Sequence, residues 1–545
     1  MPSKTVRRLH STQRKCKSAV ILEEYIMKKG AVRHAMVHLA LLIGGICHTA
    51  YAGERDLMKQ ELMKMKSDPL RYQLSIPTKY DVNGQTVTSD QLPFPQSMID
   101  DRSYVTEKDL TRRDAIFRVP LNTINTLLPM FAPINTENDD PNRFLLLPHQ
   151  GADLLQMQTD NLITGEVSAQ PWSGDYWATY KGGAGSRYED PKFPQDSDWK
   201  KNYDYVQANL VSDIVKTGNA DLIANLSPSE KYELIVGDNL QLLTKAQWQG
   251  GKSFYERYGS VERWFGICHG WAPAAYMLDR PERMIEIPAM KHDVKVRFYP
   301  HDIKALASLL WANAQPETRF IGGRCNDKEP KRDEKGRLIS EACFDNNPGT
   351  WHQVVVGEMG RGKRSMVIDA TYDYEVWNQP VKRYSYGYFD PLTNEEVDTI
   401  DKARRTLSEL PEDRFKPYRS PNATHVVGIS MALTYMVETG ADHSPESSEA
   451  DDSDRTVVYL YDLELDQDGK IIGGEWYSNA HPDFVWSPMA GARAESQIER
   501  LLTEPWTGEG GVPASWTQPA QWAAENDMVL AGVVEELIRR SRAQN

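Results

Sequence analysis

The stretch Trp264-Phe265-Gly266-Ile267-Cys268-His269-Gly270-Trp271-Ala272-Pro273-Ala274 constrains this chain more than any other. A cysteine stands between a glycine-containing turn and an Ala-rich segment that reads as the opening of a helix. The unpaired N–H groups and positive dipole end of a helix favour a thiolate and can hold an oxyanion. A thiolate nucleophile needs a base, and the base needs an orienting group. His352 in Gly349-Thr350-Trp351-His352-Gln353 and Asp369 in Met366-Val367-Ile368-Asp369 are the downstream candidates. A lone cysteine is most often a buried apolar residue; the ordered trio is what lifts Cys268 above that.

The spacing of the pair carries a physical argument. Val354 to Met359 and Ser365 to Asp369 read as two strands around the turn residues Gly360-Arg361-Gly362-Lys363-Arg364. In an antiparallel hairpin any even-numbered loop puts His352 and Asp369 on one face, and a two-residue loop at Gly360-Arg361 sets them directly opposite. Cys, then His, then an acid on the next strand is the chain order of papain-like and transglutaminase-like acyl transferases. Asp373 has the parity of Asp369 and is the reserve acid. His269 is a rival base, but neighbours in sequence do not face each other on a helix. Pro273 would leave the His269 carbonyl without its helical partner.

The N-terminus reads as a targeting segment. Met27-Lys28-Lys29-Gly30 is a basic n-region, Ala35 to Ile46 an apolar run and Ala50-Tyr51-Ala52 a cleavage site. Residues 1–52 are thus a signal peptide with an N-terminal extension, Met27 offers an alternative start, and the mature chain begins at Gly53. A lipid anchor at Cys47 is the competing reading, and Ile46 before it fits poorly. The run is too short for a membrane-spanning helix, so no stable membrane anchor is expected. The leader carries nine Lys/Arg against two Glu, so its loss takes the formal charge from −14 to −21. An acidic secreted protein follows, and a nucleic-acid binder is disfavoured. Export leaves Cys268, Cys325 and Cys343. In an oxidising compartment an odd count suggests one bridge and one thiol, so Cys325 and Cys343 staple the loop between them and Cys268 stays free.

The remaining chain divides by texture. Residues 53–165 form an N-terminal domain or a removable pro-segment, 166–424 the catalytic core, and 425–545 a β-rich region with a terminal helix. Gly182-Gly183-Ala184-Gly185-Ser186 lacks the lysine of a phosphate loop and reads as a flexible surface turn. Ser227-Pro228-Ser229-Glu230 is a capping box. Residues 241–257 and 301–314 read as helices, and 456–465 with 470–478 as a hairpin turning at Gln467-Asp468-Gly469. Asp466 and Asp468 lack the rest of a calcium loop.

Val376-Trp377-Asn378-Gln379-Pro380-Val381 resembles the opening of the peptide recognised by plants in the secreted oomycete elicitor transglutaminases, a family with bacterial members. The two diverge after Val381, at Lys382-Arg383-Tyr384. Cys268 to Ala274, Pro171 to Tyr176 and Gly473 to Ser478 are similar to that family as well. The resemblance implies an α+β fold with a papain-like cysteine acyltransferase core, flanked by the N-terminal and β-rich C-terminal regions. It implies a calcium-dependent enzyme that joins protein glutamine to protein lysine. It assigns Cys268 as nucleophile, His352 as base and Asp369 as orienting acid. Trp264, Trp271 and Trp351 are candidate walls of an acyl or amine tunnel, against the commoner role of aromatic core. The papain-like glutamine six residues before the nucleophile is Glu262 here, so the second oxyanion donor is open. A thiol peptidase or amidase, and a surface recognition protein with a structural thiol, remain the alternatives.

Overall fold

The computed structural model describes residues 53–73, 79–80, 86–87, 139–145, 153–314, 316–323, 331, 346–371, 375–478, 480–507 and 510–543. The leader, Cys325, Cys343 and Asp373 lie outside the described residues. The centre is a ten-stranded antiparallel sheet. Its main strands are β1 (Thr318–Gly322), β2 (Val367–Asp369), β3 (Asn378–Asp390), β4 (His425–Val437), β5 (Ser453–Leu465), β6 (Ile471–Trp476) and β7 (Phe484–Pro488). They lie in the order β6-β5-β4-β3-β2-β7-β1, with Thr164–Glu166 and Glu395–Val397 on β3 and Arg404–Thr406 on β4.

Of the helices α1 (residues 53–67), α2 (Pro228–Val236), α3 (Leu242–Tyr258), α4 (Cys268–Met277), α5 (Pro300–Asn313), α6 (Pro348–Val355) and α7 (Ala531–Arg542), α1, α4 and α6 lie on the sheet, and the others form a layer behind α4. None of the helices in the described residues is long and apolar enough to cross a membrane.

Several expected elements form for the expected reasons. Ser227 caps α2 reciprocally with Glu230, with Pro228 at the first position. The 467–469 turn closes the β5–β6 hairpin, Gly469 takes φ +79°, and Asp466 accepts from the Asp468 and Lys470 amides at 2.9 Å. The expected 301–314 helix is α5. Gly183, Ala184 and Gly185 are not on the surface: they are buried, because Gly182 takes φ +94° where a Cβ would strike the Trp248 ring.

The expected 354–359 strand is the main correction. Val354 and Val355 are helical in α6, and Val356–Arg361 continues as a π-turn. Asn347 caps α6 by accepting from the Gly349 amide, and Pro348 fits its first position. The valine run reads as a strand by propensity, but α6 is buried over its whole length, and that packing overrides the preference.

Side-chain alternation divides the helices between the two faces. Tyr384, Tyr386 and Tyr388 of β3, Met431 and Ile429 of β4, and Tyr459 and Tyr461 of β5 share one face, where Trp351 and Val354 of α6 pack. Val367, Trp486 and Met436 point to the other face, where α4 packs. At that face's far end, Leu62 and Met65 of α1 meet Phe389, Phe415 and Leu460, and buried Glu54 accepts from Arg383 and Ser385.

Candidate active site

Cys268 is the first residue of α4 and is 5% exposed. A segment from Trp172 to Thr179 straps across this end of the helix. The Ile267 amide donates to the Tyr176 carbonyl at 2.7 Å, Thr179 to Phe265 at 2.7 Å and the Trp271 indole to the Trp172 carbonyl at 3.2 Å. Trp177 takes φ +53°, an outlier for a bulky residue, with its amide held by the Asp175 carboxylate at 2.6 Å. Tyr176 packs on Trp377 with ring centroids 5.3 Å apart. Aromatic rings from both segments therefore stand beside the thiol.

The other wall is the start of β3. Asn378 Nδ2 donates to Cys268 Sγ at 3.4 Å, and Sγ donates to the Val376 carbonyl at 3.6 Å. Asn378 is fixed from behind, since its Oδ1 accepts from the Trp486 indole at 2.8 Å. Asp369 pairs with Asn378 across β2 and β3, so both side chains share a face. Its Oδ1 accepts from the Trp377 amide at 3.0 Å, the Thr371 amide at 3.2 Å and the Thr371 hydroxyl at 2.9 Å. Asp369 thus clamps the loop that delivers Val376 and Asn378 to sulfur.

His352 is elsewhere. It sits on α6 across the sheet from α4, fully buried, with Nδ1 at 2.8 Å from the Tyr461 hydroxyl and its ring against Tyr386. Its Nε2 has no hydrogen-bond partner in the described residues, and burial pushes its pKa down to about 3. The structure brings Cys268 and Asp369 together and leaves His352 behind the sheet. The reason is local: a helix, not a hairpin strand, carries the imidazole. Trp351 follows it to that face, beside Tyr459 and Trp476. Trp271 is fully buried behind Cys268, and Trp264 is half-buried against Phe265.

The helix start does not lower the thiol pKa, contrary to the expectation from its position. Burial pushes Cys268 up to about 11; the Asn378 bond pulls it down, and the Glu438 and Asp369 charges push it further up. Sequence reasoning missed Asn378, Val376 and Glu438. The first two stand inside the motif stretch, though nothing there marks an amide as the sulfur's partner. Glu438 is a single carboxylate at the end of an apolar strand, with no spacing signal. The calcium expectation finds no donor set: the described residues contain no group of three or more His, Cys, Asp or Glu placed to hold a metal ion.

The transglutaminase elicitor family model matches residues 149–502. Among solved structures, the crystal structure of the GP42 transglutaminase from Phytophthora sojae is similar at 21% identity, covering 75% of this chain and 98% of that one, with a TM-score of 0.48. A search of curated proteins found no match.

Proposed function

We propose that this chain, which belongs to the transglutaminase elicitor family, is a protein-glutamine acyltransferase acting through Cys268. The observation that carries the reading is the thiol at the head of α4, engaged by Asn378 and Val376 from the motif strand. In the first step Sγ attacks a glutamine carboxamide, the C–N bond breaks and ammonia leaves a thioester. In the second a lysine amine attacks the thioester, an isopeptide bond forms and the thiol is released. The Asn378 amide steadies developing charge on sulfur, and the Tyr176, Trp177 and Trp377 rings restrict water, which favours amine over hydrolysis. A cysteine-headed helix on an antiparallel sheet supports a papain-like kinship of the core. Export with loss of residues 1–52, the Cys325–Cys343 bridge and calcium dependence belong to the same proposal; no step above passes through a metal.

The test incubates the chain from Gly53 with a glutamine-donor protein and dansylcadaverine, with calcium or with EGTA, beside Cys268→Ser. Label incorporated by wild type and not by the variant supports the reading, and the EGTA arm reads the metal requirement. Ammonia release or peptide cleavage without incorporated amine replaces it with a thiol amidase or peptidase.

A further inference from the structure

We propose that Glu438 is the proton acceptor of this site, the carboxylate that draws in the lysine ammonium on the Cys268 side of the sheet. The inference rests on the acyl-transfer reading above and supplies the base that His352 does not.

The backbone puts Glu438 there. Pairing of β4 with β3 ends at Tyr435 opposite Val381, so β4 parts from β3 there while it stays paired with β5 to Val437 opposite Ser453. Met436 points into the core around Cys268, and the charge of Glu438, just past the end of β4, acts on Cys268 and on Tyr176 and Asp175 of the strap. The next amide, Thr439, donates to the Gly174 carbonyl at 2.9 Å, which ties this turn to the strap over the thiol. Gln379 Nε2 donates to Glu438 Oε1 at 2.7 Å, and Gln379 is the neighbour of Asn378 in the motif strand. One dipeptide therefore holds both the sulfur and the carboxylate. Glu438 remains partly exposed while Cys268 is buried, so an amine from solvent reaches the carboxylate first.

The electrostatics agree with this placement. Of the two carboxylates whose charge raises the thiol's pKa, Glu438 acts more strongly than Asp369. Its own carboxyl is raised to about 7, chiefly by burial and also by Asp175 on the strap, against the pull of Gln379 and of Arg455 on β5. Tyr176 on the strap, Tyr435 on β4 and Cys268 on α4 are the other titratable groups that its charge reaches. A carboxyl half-ionised near neutrality is suited to proton transfer in both directions.

The proton balance closes. In the first half Glu438 takes the Sγ proton as sulfur attacks the carboxamide, and returns it to the nitrogen that leaves as ammonia. In the second it takes one proton from the lysine ammonium. The free amine forms the C–N bond, the C–S bond breaks and the amine's surplus proton goes to sulfur. Glu438 then loses its proton to water.

The experiment compares wild type, Glu438→Gln and Glu438→Asp in the chain from Gly53. Amine incorporation is followed from pH 5.5 to 9, and iodoacetamide labelling of Cys268 over the same range. Gln keeps an acceptor for Gln379 and removes the charge. We expect Glu438→Gln to lose on the order of 100-fold in kcat/KM and the rise in rate through about pH 7. Its Cys268 should label faster than wild type above about pH 7, where the wild-type carboxylate is charged, and at the same rate near pH 5.5, where it is neutral; a merely structural role slows transfer without speeding labelling. Glu438→Asp should recover part of the rate and the limb near pH 7. Glu438→Gln within about threefold of an active wild type, with that limb intact, overturns this role alone. A wild type that incorporates no amine overturns the proposed function and this role with it.

Discussion

The buried thiol makes a quantitative prediction about its own reactivity. Cys268 is pushed from an ordinary 9.0 to about 11, mainly by burial. Two units lower the thiolate fraction at pH 8 by a factor of ~100 and correspond to about 3 kcal/mol. Alkylation of Cys268 by iodoacetamide at pH 8 should therefore run on the order of 100-fold slower than that of free cysteine. Steric shielding alone would also slow it, but the two causes differ in pH dependence. A shielded thiol with an ordinary pKa levels off above pH 9, whereas Cys268 should keep gaining roughly tenfold per unit to about pH 10. Peptide-resolved mass spectrometry after timed labelling isolates this residue from the other cysteines. Asn378→Ala removes the side-chain bond that favours the thiolate and keeps the backbone one, so it should displace the curve further to high pH. Labelling as fast as free cysteine at pH 8, or a plateau near pH 9, would refute the reasoning.

Three substitutions test the placement of other groups. His352→Gln should lower Tm by removing a buried ring between Tyr461 and Tyr386, while amine incorporation by the folded fraction stays within about threefold; a 100-fold loss would place the imidazole in the chemistry after all. Gly270→Ala would drive a Cβ into the Ser308 carbonyl and Ala312 of α5, so urea unfolding should show a loss of about 3 kcal/mol, and an unchanged midpoint would contradict the α4–α5 contact. Lys231→Met strands Asp302, which is fully buried and also accepts from Tyr188 and the Tyr299 amide; a destabilisation of roughly 3–5 kcal/mol is expected in the same assay.

The chemistry-bearing cysteine was legible because its signals are local. A turn, a cysteine and an Ala-rich run lie within eleven consecutive residues, and α4 forms there with Pro273 tolerated inside it. The capping box at Ser227 and the Gly469 turn were legible for the same reason. The base was not. Its assignment to His352 depended on a valine run being a strand, and a run of three valines carries no period to separate helix from strand. The deciding signal, Asn347-Pro348 as cap and first helical residue, was present but lay before the stretch being read. Glu438 was beyond reach for another reason: its closeness to Cys268 arises from β4 parting from β3, and nothing in either segment announces where a pairing stops.

The parting of β3 and β4 also explains how Pro380 sits inside a strand of a large sheet. The odd residues of this part of β3 bond toward β2, as the Val381 amide does to the Met366 carbonyl and the Trp377 carbonyl to the Ala370 amide. Pro380, being even, turns its missing N–H to the other side, where β4 has already left. The opening that exposes Glu438 is therefore the same opening that makes a proline harmless. The motif divides at this point. Val376 and Asn378 touch sulfur, and Gln379 holds Glu438. Lys382 and Arg383, where the resemblance to the plant-recognised peptide lapses, instead pair with Asp454 and Glu54 at 2.6 Å each, away from the thiol. Divergence after Val381 thus falls on the strand's outer ion pairs. Exchanging Lys382 and Arg383 should change how α1 and the start of β5 are held, and leave the pH dependence of Cys268 labelling where it was.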